Sequence, residues 1–244
     1  MRFLLLLRDL AAPFSRAPEV AVLCYHSVGD LPLPTAVTPD ALRTQLAYLQ
    51  KHGYTFLSLD SIVDWVEGRE GVPRKAIALT FDDGYQDFEK TVLPILEEFK
   101  APAALFAVGD GEKSRAALGT DVPLLDTAAL ARVASHPLVT LGYHSLTHPN
   151  LAKLDRALLG REVSSPWQAA YFAYPGGNFS DAATETVRAA GYRAAFTIQR
   201  HLVRPGTNPF LIPRSVVTHD MSPAIVRFHA TRALEWYRTI SRFL

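Results

Sequence analysis

The sequence predicts an α/β fold in which parallel strands and helices alternate within one large domain. Apolar runs of strand length alternate with helical patterns almost to the end of the chain, which gives about seven strands joined by right-handed crossovers. A chain of 244 residues with 48% hydrophobic content can bury a substantial core, and α/β barrels of this size form single domains. The conspicuous polar residues mostly follow directly after strands, where parallel α/β barrels form their active sites.

The predicted strands are short apolar runs of the kind that parallel sheets bury on both faces. In chain order these runs are 20–25, 76–81, 103–108, 139–143, 170–174, 194–197 and 215–217. A further short extended piece at 56–57 lies between two predicted helices.

Capping residues and helix breakers mark where the predicted helices begin and end. Thr38 and Pro39 form a cap and a first-turn proline before a helix that Gly53 ends, and Asp126 caps a helix that ends near residue 134. Pro94 predicts a kink within a helix over 88–99. The other predicted helices are 62–67, one short helix between 154 and 167, and 181–190.

The two ends of the chain lie outside the predicted barrel domain, which covers 20–221. The apolar run near the N-terminus is five residues long, shorter than the roughly 7–15 of a signal peptide, so we interpret 1–19 as an arm and expect a cytoplasmic protein. Residues 222–244 predict an amphipathic helix with four arginines around an apolar stripe. Either this helix docks on the barrel, or it makes a peripheral contact with the inner face of an anionic membrane.

Charge gives no support for a nucleic-acid-binding protein, and cysteine content excludes a protein held together by internal disulfides. The 25 Lys and Arg residues balance 24 Asp and Glu residues, and the net charge of +1 gives no electrostatic case for binding nucleic acid. The single cysteine, Cys24, excludes an internal disulfide and leaves the redox compartment open.

Two short segments carry most of the chemistry. Asp82 and Asp83 are adjacent carboxylates at the end of a predicted strand, and His144 and His148 are four residues apart, so one helical turn would direct both imidazoles to the same side. One carboxylate and two imidazoles suit a divalent metal with open coordination positions, and the second carboxylate would remain free as a base beside it. Taken separately, each segment is also compatible with a solvated turn or with exposed histidines at the start of a helix.

Together these segments resemble a known family. The run from Thr80 to Gly84 (TFDDG) and the run from His144 to Pro149 (HSLTHP) are similar to the first two motifs of the polysaccharide deacetylases, the NodB-like enzymes of carbohydrate esterase family 4. The resemblance covers roughly 20–214. It implies a distorted (β/α)7 barrel, here with an added C-terminal helix, and metal-dependent removal of acetyl groups from N-acetylated sugars.

The resemblance also implies roles for individual residues. Asp82 would be the general base, while Asp83, His144 and His148 would hold the metal. Zinc is the expected metal, with cobalt, nickel or manganese as alternatives. This division leaves one carboxylate committed to the metal and its neighbour free to accept a proton from the attacking water.

The third motif departs from the family pattern, which is usually Arg-x-Pro-Tyr-Gly. The segment Tyr174-Pro175-Gly176 resembles it and is expected on the substrate side, but Ala173 stands at the arginine position and Gly176 at the tyrosine position. The family arginine holds the catalytic base, so Asp82 needs another partner. Arg214 is a candidate replacement, although a strand-end salt bridge explains it equally well. The family's oxyanion donor is a backbone N–H, which Gly176 still supplies.

The general acid is expected near the N-terminus. The resemblance implies an acid from a Leu-x-His motif near the C-terminus, but no clean match to that motif occurs there, and Thr218-His219-Asp220 is the nearest. Tyr25-His26, at the end of the first predicted strand, resembles the N-terminal Tyr-His segment of the poly-N-acetylglucosamine deacetylase branch. We therefore assign His26 as the acid, with His219 and a local structural role for His26 as the alternatives.

The leading hypothesis is a metal-dependent N-deacetylase whose partner is an N-acetylhexosamine-containing glycan or a lipid-linked precursor of one. A related C–N hydrolase acting on a non-sugar amide is the first alternative, since fold alone does not define the substrate. A catalytically silent barrel that binds glycans is the second, and the missing arginine at Ala173 is its best support.

Overall fold

The computed structural model describes residues 18–119 and 122–233, which form a curled, parallel sheet surrounded by helices. The strands are β1 (Glu19–Tyr25), β2 (Thr55–Phe56), β3 (Lys75–Asp83), β4 (Ala103–Ala107), β5 (Val139–Tyr143), β6 (Tyr171–Ala173), β7 (Ala194–Phe196) and β8 (Ser215–Val216). All of their pairings are parallel, in the order β7-β6-β5-β4-β3-β1-β8, with β2 beside the first half of β3. The expected distorted barrel is confirmed, with seven strands along the path and β2 at its side.

The outer strands of the sheet approach each other without pairing directly. Phe196 of β7 makes an isolated parallel bridge with Ile212, just before β8 begins. Since β8 itself pairs with β1, the segment that precedes β8 spans the remaining gap in the barrel. The residues just before β8 therefore lie beside β7, while β8 itself lies beside β1.

Helices cover the outside of the sheet and follow the capping signals in the sequence. They are α1 (Pro39–Lys51), α2 (Leu59–Val66), α3 (Leu93–Phe99), α4 (Gly111–Leu118), α5 (Thr127–Ala134), α6 (Arg156–Val163), α7 (Asp181–Ala189) and α8 (Pro223–His229). Thr38 and Asp126 cap α1 and α5 as expected, each accepting a hydrogen bond from the backbone three residues on. Short 3₁₀ turns occupy 151–153, 175–177 and 209–211.

The helix expected over 88–99 differs from the prediction. A π-helical turn covers Phe88–Val92 and leads directly into α3, so Pro94 lies in the first turn of α3 instead of within a longer helix. Proline is tolerated at this position because the first N–H groups of an α-helix have no partner within the helix.

Alternation along the strands decides which residues face the inside of the barrel. Ile77, Leu79 and Phe81 of β3 pack with the outer helices, whereas Ala76 and Ala78 pack toward β4, β6 and α2. Successive strand residues point to opposite faces, so Thr80 and Asp82 continue the inner row. Cys24 of β1 is opposite Thr80 in the register. The inner row therefore changes from apolar to polar at the C-terminal end of the sheet.

The C-terminal segment docks on the domain as far as it is described. Helix α8 packs against α1, and Val226 and His229 are buried. The rest of the expected amphipathic helix, 234–244, and the expected N-terminal arm up to residue 17 lie outside the described residues. Across the described ranges, no helix is both long and apolar enough to cross a membrane.

Candidate active site

The two adjacent aspartates end β3 and face the same opening of the barrel. Strict strand alternation would separate Asp82 from Asp83, but Asp83 has left the extended conformation with a φ of 74°. Gly84 follows with a φ of 82°, and a side chain there would lie 3.0 Å from the Cβ of Ala107. The glycine is therefore required both by its backbone conformation and by the close approach of β4. This turn places two carboxylates with different surroundings side by side.

Asp82 forms a buried ion pair with Arg214. Nη1 of Arg214 donates to Oδ1 at 2.6 Å and Nη2 donates to Oδ2 at 2.7 Å, while the Cys24 thiol lies 3.4 Å from Oδ2. Burial alone would raise the pKa of Asp82, but the charge and the hydrogen bonds of Arg214 outweigh it and hold the pKa well below its ordinary value. Asp82 is therefore an oriented, ionised carboxylate at neutral pH.

Arg214 is itself held in place from several sides. It is fully buried, donates to the Thr197 carbonyl at 3.0 Å and to the Thr80 hydroxyl at 3.1 Å, and its guanidinium lies over the Phe106 ring at 5.3 Å. A guanidinium fork matches a carboxylate in geometry and stays charged when buried. Arg214 thus makes the contact with Asp82 that the resemblance led us to expect from an arginine at residue 173.

Asp83 faces two neutral histidines. Its Oδ1 is 3.5 Å from Nε2 of His144 and 3.5 Å from Nε2 of His148. Burial and the nearby charge of Asp82 raise the pKa of Asp83 to about 7. Burial lowers the pKa of His144 to about 3 and also lowers the pKa of His148. The surroundings of Asp83 therefore stabilise its ionised form poorly. Both imidazole rings are neutral, so they face the carboxylate with lone pairs instead of positive charge.

A backbone carbonyl sets the tautomer of His144. Nδ1 of the ring lies 2.8 Å from the carbonyl oxygen of Ala173, so Nδ1 carries the proton and donates it to this oxygen. Nε2 is then the unprotonated nitrogen that faces Asp83. The end of β6 therefore orients a site histidine through its backbone.

The expected helical turn between the two histidines is wrong. Residues 144–148 are irregular, with Ser145 at φ 66° and His148 at φ 59°, both in the left-handed region. The His148 amide donates to the Ser145 hydroxyl at 2.9 Å, which closes the loop on itself. A spacing of four residues therefore brings the imidazoles together, with ring centroids 5.0 Å apart, through a tight loop instead of a helix.

The residues of this cluster fit a divalent cation. One ligand atom from each of Asp83, His144 and His148 lies within 4.8 Å of the others. Oδ1 of Asp83 is buried and has no hydrogen-bond partner within the part of the chain that the structure describes. A buried, unpaired carboxylate oxygen between two neutral imidazoles is costly by itself, and a cation would supply its missing partner. One carboxylate and two imidazoles are a common set for zinc with open positions.

His26 lies beside Asp82, one residue after β1. Ligand atoms of Cys24, His26 and Asp82 lie within 4.8 Å of one another, and burial lowers the pKa of His26. Nδ1 of His26 is buried and lacks a hydrogen-bond partner among the described residues. Because both Asp82 oxygens already accept from the Arg214 cation, this second group is poorly suited to a metal. His219, the alternative acid, is exposed, and its amide donates to the carbonyl of Pro34.

The third-motif segment divides between core and surface. The Tyr174 side chain, expected on the substrate side, is fully buried, and its hydroxyl donates to the Phe210 carbonyl at 3.1 Å. Its ring packs edge-to-face against Phe172, and burying this aromatic surface is favourable. Pro175 is also buried, whereas Gly176 is exposed in a left-handed turn with a φ of 57°. Gly176 is therefore the member of this segment that a substrate can reach.

Sequence reasoning missed several residues that support the site. Cys24 and Thr80 contact the Asp82–Arg214 pair, and strand alternation was the signal that could have found them, because both lie on the inner row. Asp87 accepts hydrogen bonds from the Ser27 hydroxyl and, at 3.0 Å, from the Val28 amide, which ties the segment after His26 to the start of the π-helical turn that follows β3. No local pattern in the sequence indicated this contact.

The chain matches a known family and several named relatives. A family model described as polysaccharide deacetylase matches residues 69–195, just over half of the chain. A poly-beta-1,6-N-acetyl-D-glucosamine N-deacetylase of Escherichia coli K12 is 45% identical over 74 residues, which are 30% of this chain but only 11% of that protein. The protein of the same name from Staphylococcus aureus MSSA476 is 22% identical over 210 residues, covering 79% of this chain and 71% of the relative.

Solved structures agree with the fold. The structure of IcaB from Ammonifex degensii superposes with a TM-score of 0.76 at 24% identity, covering 87% of this chain and 97% of that one. At this level of identity the likeness concerns the arrangement of strands and helices. It matches the curled parallel sheet and its helices, and it shows the fold alone.

Proposed function

We propose that this chain, which belongs to the polysaccharide deacetylase family, is a hydrolase that removes N-acetyl groups from a glycan containing N-acetylglucosamine. The observation that carries this proposal is the division between its two adjacent carboxylates. Arg214 holds Asp82 ionised and oriented, whereas Asp83 faces two neutral imidazoles. A positioned base beside a cation site is well suited to the hydrolysis of an amide by an activated water.

The substrate class follows from the relatives that the chain resembles. Those from Escherichia coli and Staphylococcus aureus are named as N-deacetylases of poly-β-1,6-N-acetylglucosamine. We propose the same substrate class for this chain. A lipid-linked precursor of such a glycan is the narrower form of this proposal. Zinc is the cation we propose, since two imidazoles and one carboxylate suit it best. Peripheral contact with a membrane through the residues after 222, in a cytoplasmic protein, remains a prediction.

The residues of the site divide the reaction between them. A cation held by Asp83, His144 and His148 would supply Lewis acidity, which polarises the acetyl carbonyl and lowers the pKa of water. Asp82 accepts one proton from the water whose oxygen attacks the acetyl carbon. His26, which burial keeps neutral in the free chain, must first take up a proton, and it then donates this proton to the nitrogen as the C–N bond breaks. The products are acetate and the free amine, and the Gly176 amide would donate to the oxyanion.

Acetate release tests the proposal directly. The chain is stripped with a chelator, reloaded with Zn²⁺, Co²⁺, Ni²⁺ or Mn²⁺, and given β-1,6-linked N-acetylglucosamine oligomers, chito-oligosaccharides or lipid-linked N-acetylhexosamines. We expect acetate release that chelation abolishes and zinc restores. D82N should reduce the rate at least about 100-fold, the lower end of general base contributions. D40N, at an exposed carboxylate on α1, is the matched control and should leave the rate unchanged.

Each other outcome points to a different function. Tight cation binding without acetate release from any of the glycans would contradict the proposal and favour a hydrolase for a non-sugar amide. Glycan binding without turnover would favour the silent binding barrel. D82N with the wild-type rate would exclude Asp82 as the base.

The general acid is tested by changing the leaving group. An amine must be protonated to leave, whereas a nitrophenolate leaves without help. We therefore expect H26A to lose deacetylation of the glycan but to retain hydrolysis of p-nitrophenyl acetate. H219A is the matched control. A H219A chain with this selective loss, beside an unaffected H26A, would move the acid to His219.

A further inference from the structure

The loop that carries His148 has a backbone that is unfavourable by itself. Ser145 and His148 both have positive φ, at 66° and 59°, and neither is a glycine. Left-handed backbone at such residues persists only when the surrounding structure holds it in place. The contacts of residues 145–148 should therefore show what keeps His148 directed at Asp83.

One side of the loop is held by backbone groups. The amide of Gly109 donates to the carbonyl of Ser145 at 2.9 Å, and the amide of Asp110 donates to the carbonyl of Leu146 at 2.8 Å. The amide of His148 donates to the Ser145 hydroxyl. These bonds hold the beginning of the loop and the His148 amide but do not reach residue 147.

The other side is held by a single residue of α6, Glu162. Its carbonyl accepts from the Leu146 amide at 3.0 Å. Its carboxylate accepts from the Thr147 amide at 2.9 Å and from the Thr147 hydroxyl at 2.7 Å, one bond to each oxygen. Bonds to a charged acceptor are stronger than bonds between neutral groups, so this carboxylate is well suited to hold the peptide just before His148.

We propose that Glu162 is a positioning residue for His148. By holding both donors of Thr147, it stabilises the left-handed backbone of the next residue and directs Nε2 of His148 toward Asp83. The carboxylate acts through the loop, since its hydrogen bonds are to Thr147. The inference rests on the proposed function, because it takes Asp83, His144 and His148 as the cation site.

Two substitutions remove this support to different extents. In E162Q one neutral oxygen can still accept from the Thr147 amide, and the NH₂ group can only donate to the Thr147 hydroxyl, so both bonds to a charged acceptor are replaced by weaker neutral ones. We expect the affinity for the cation to fall about 10- to 100-fold, as is typical when a group that orients a metal ligand is lost. T147V removes the hydroxyl alone and should weaken binding about threefold. Because both changes act on one contact, the double variant should bind no more weakly than E162Q.

The experiment measures cation affinity separately from turnover. The chelator-stripped full chain is titrated with Zn²⁺ by calorimetry and with Co²⁺ by its visible absorption, which reports ligand geometry. E185Q, at an exposed glutamate on α7 that lies 3.6 Å from Arg156, is the matched control. We expect E162Q to show the weaker affinity and an altered Co²⁺ spectrum, E185Q to match the wild type, and all metal-free chains to unfold at similar temperatures.

Equal cation affinity in E162Q and E185Q would overturn the inference. If E162Q did not fold, T147V would be the test instead. A wild-type cation affinity in T147V would then overturn the inference. A wild-type chain that binds the cation but releases no acetate would overturn the proposed function and leave this inference standing. Equal affinity in the wild type and H148A would overturn both, because the cation would then be bound elsewhere.

Discussion

At the scale of single residues, the site depends on giving two neighbouring carboxylates opposite partners. Asp82 receives the cation of Arg214, which keeps it ionised, and Asp83 receives two neutral rings, which leave a charge on it without a balancing partner. The sequence indicated both carboxylates and both histidines through their motifs. It left Arg214 open, because nothing in a local pattern distinguishes a buried partner of Asp82 from a salt bridge at a strand end. The two residues are 132 positions apart, and only the folded sheet joins them.

The geometry of the Arg214 fork is expected to matter more than its charge. R214K keeps a cation beside Asp82 but cannot donate two parallel bonds to both oxygens. A lost bond to a charged group is worth about 1.5–3 kcal/mol, so we expect kcat for deacetylation to fall roughly 10- to 100-fold with little change in KM. Acetate release at varied substrate concentration measures both constants. R204K, at an arginine that pairs with Glu19 on the surface, is the control.

Two results would contradict this account of Arg214. Unchanged kcat in R214K would show that charge alone suffices. A fall in kcat accompanied by an equal loss of folded protein would show that the pair serves stability instead. Urea unfolding of the same variants measures this loss of folded protein.

At the scale of elements, the predicted strands and capped helices were reliable where one local signal decided them. Thr38 and Asp126 cap the helices they were expected to cap, and the apolar runs became strands. The prediction was wrong at residues 144–148, where a spacing of four fits a helical turn and a tight loop equally well. Positive φ at a serine or a histidine leaves no mark in the sequence, because it depends on contacts made elsewhere in the fold.

Two glycines in neighbouring elements should respond to alanine in opposite ways. A Cβ at Gly142 in β5 would lie 2.5 Å from two ring atoms of the buried Phe106, whereas Gly160 in α6 has nothing within 4 Å of that position. We expect G142A to lower the free energy of unfolding by about 1–3 kcal/mol, because the core is overpacked. G160A should raise it by roughly 0.5–1 kcal/mol, because alanine favours the helix.

Urea unfolding of both variants beside the wild type measures these changes. Since the Phe106 ring also lies under the Arg214 guanidinium, G142A is expected to lower kcat as well, and G160A is not. A stabilised G142A, or a G160A that is destabilised to the same extent, would contradict the packing described for β5 and α6.

At the scale of the whole molecule, the site exists because strands distant in sequence are parallel neighbours. His26 follows β1, Asp82 and Asp83 end β3, and His144 follows β5, so one edge of the sheet collects all of them. This much was predictable, since parallel strands bring their C-terminal ends together. What the sequence did not reveal was how strongly burial acts on the charges collected there, because burial is a property of the assembled fold.

Burial also makes the stability of the folded chain depend on pH through its histidines. Burial lowers the pKa of His26, His144 and His148 at the site, and it lowers the pKa of His229 in α8, away from the site, from about 6.5 to about 4. A histidine whose pKa is lower in the folded state binds its proton more readily in the unfolded state. Its contribution to stability is complete above about pH 6.5 and is lost as the pH falls toward about 4.

His229 offers a test of this dependence that leaves the site intact. We expect H229L to lose less stability between pH 7 and pH 4.5 than the wild type, by on the order of 2 kcal/mol, since each pKa unit is worth about 1.4 kcal/mol. The measurement is the free energy of urea unfolding at both pH values for the zinc-free chains. H136L, at a partly exposed histidine beside Glu97, is the control and should follow the wild type. A wild-type pH dependence in H229L would mean that α8 does not hold His229 neutral, and therefore that α8 docks on α1 more loosely than the structure shows.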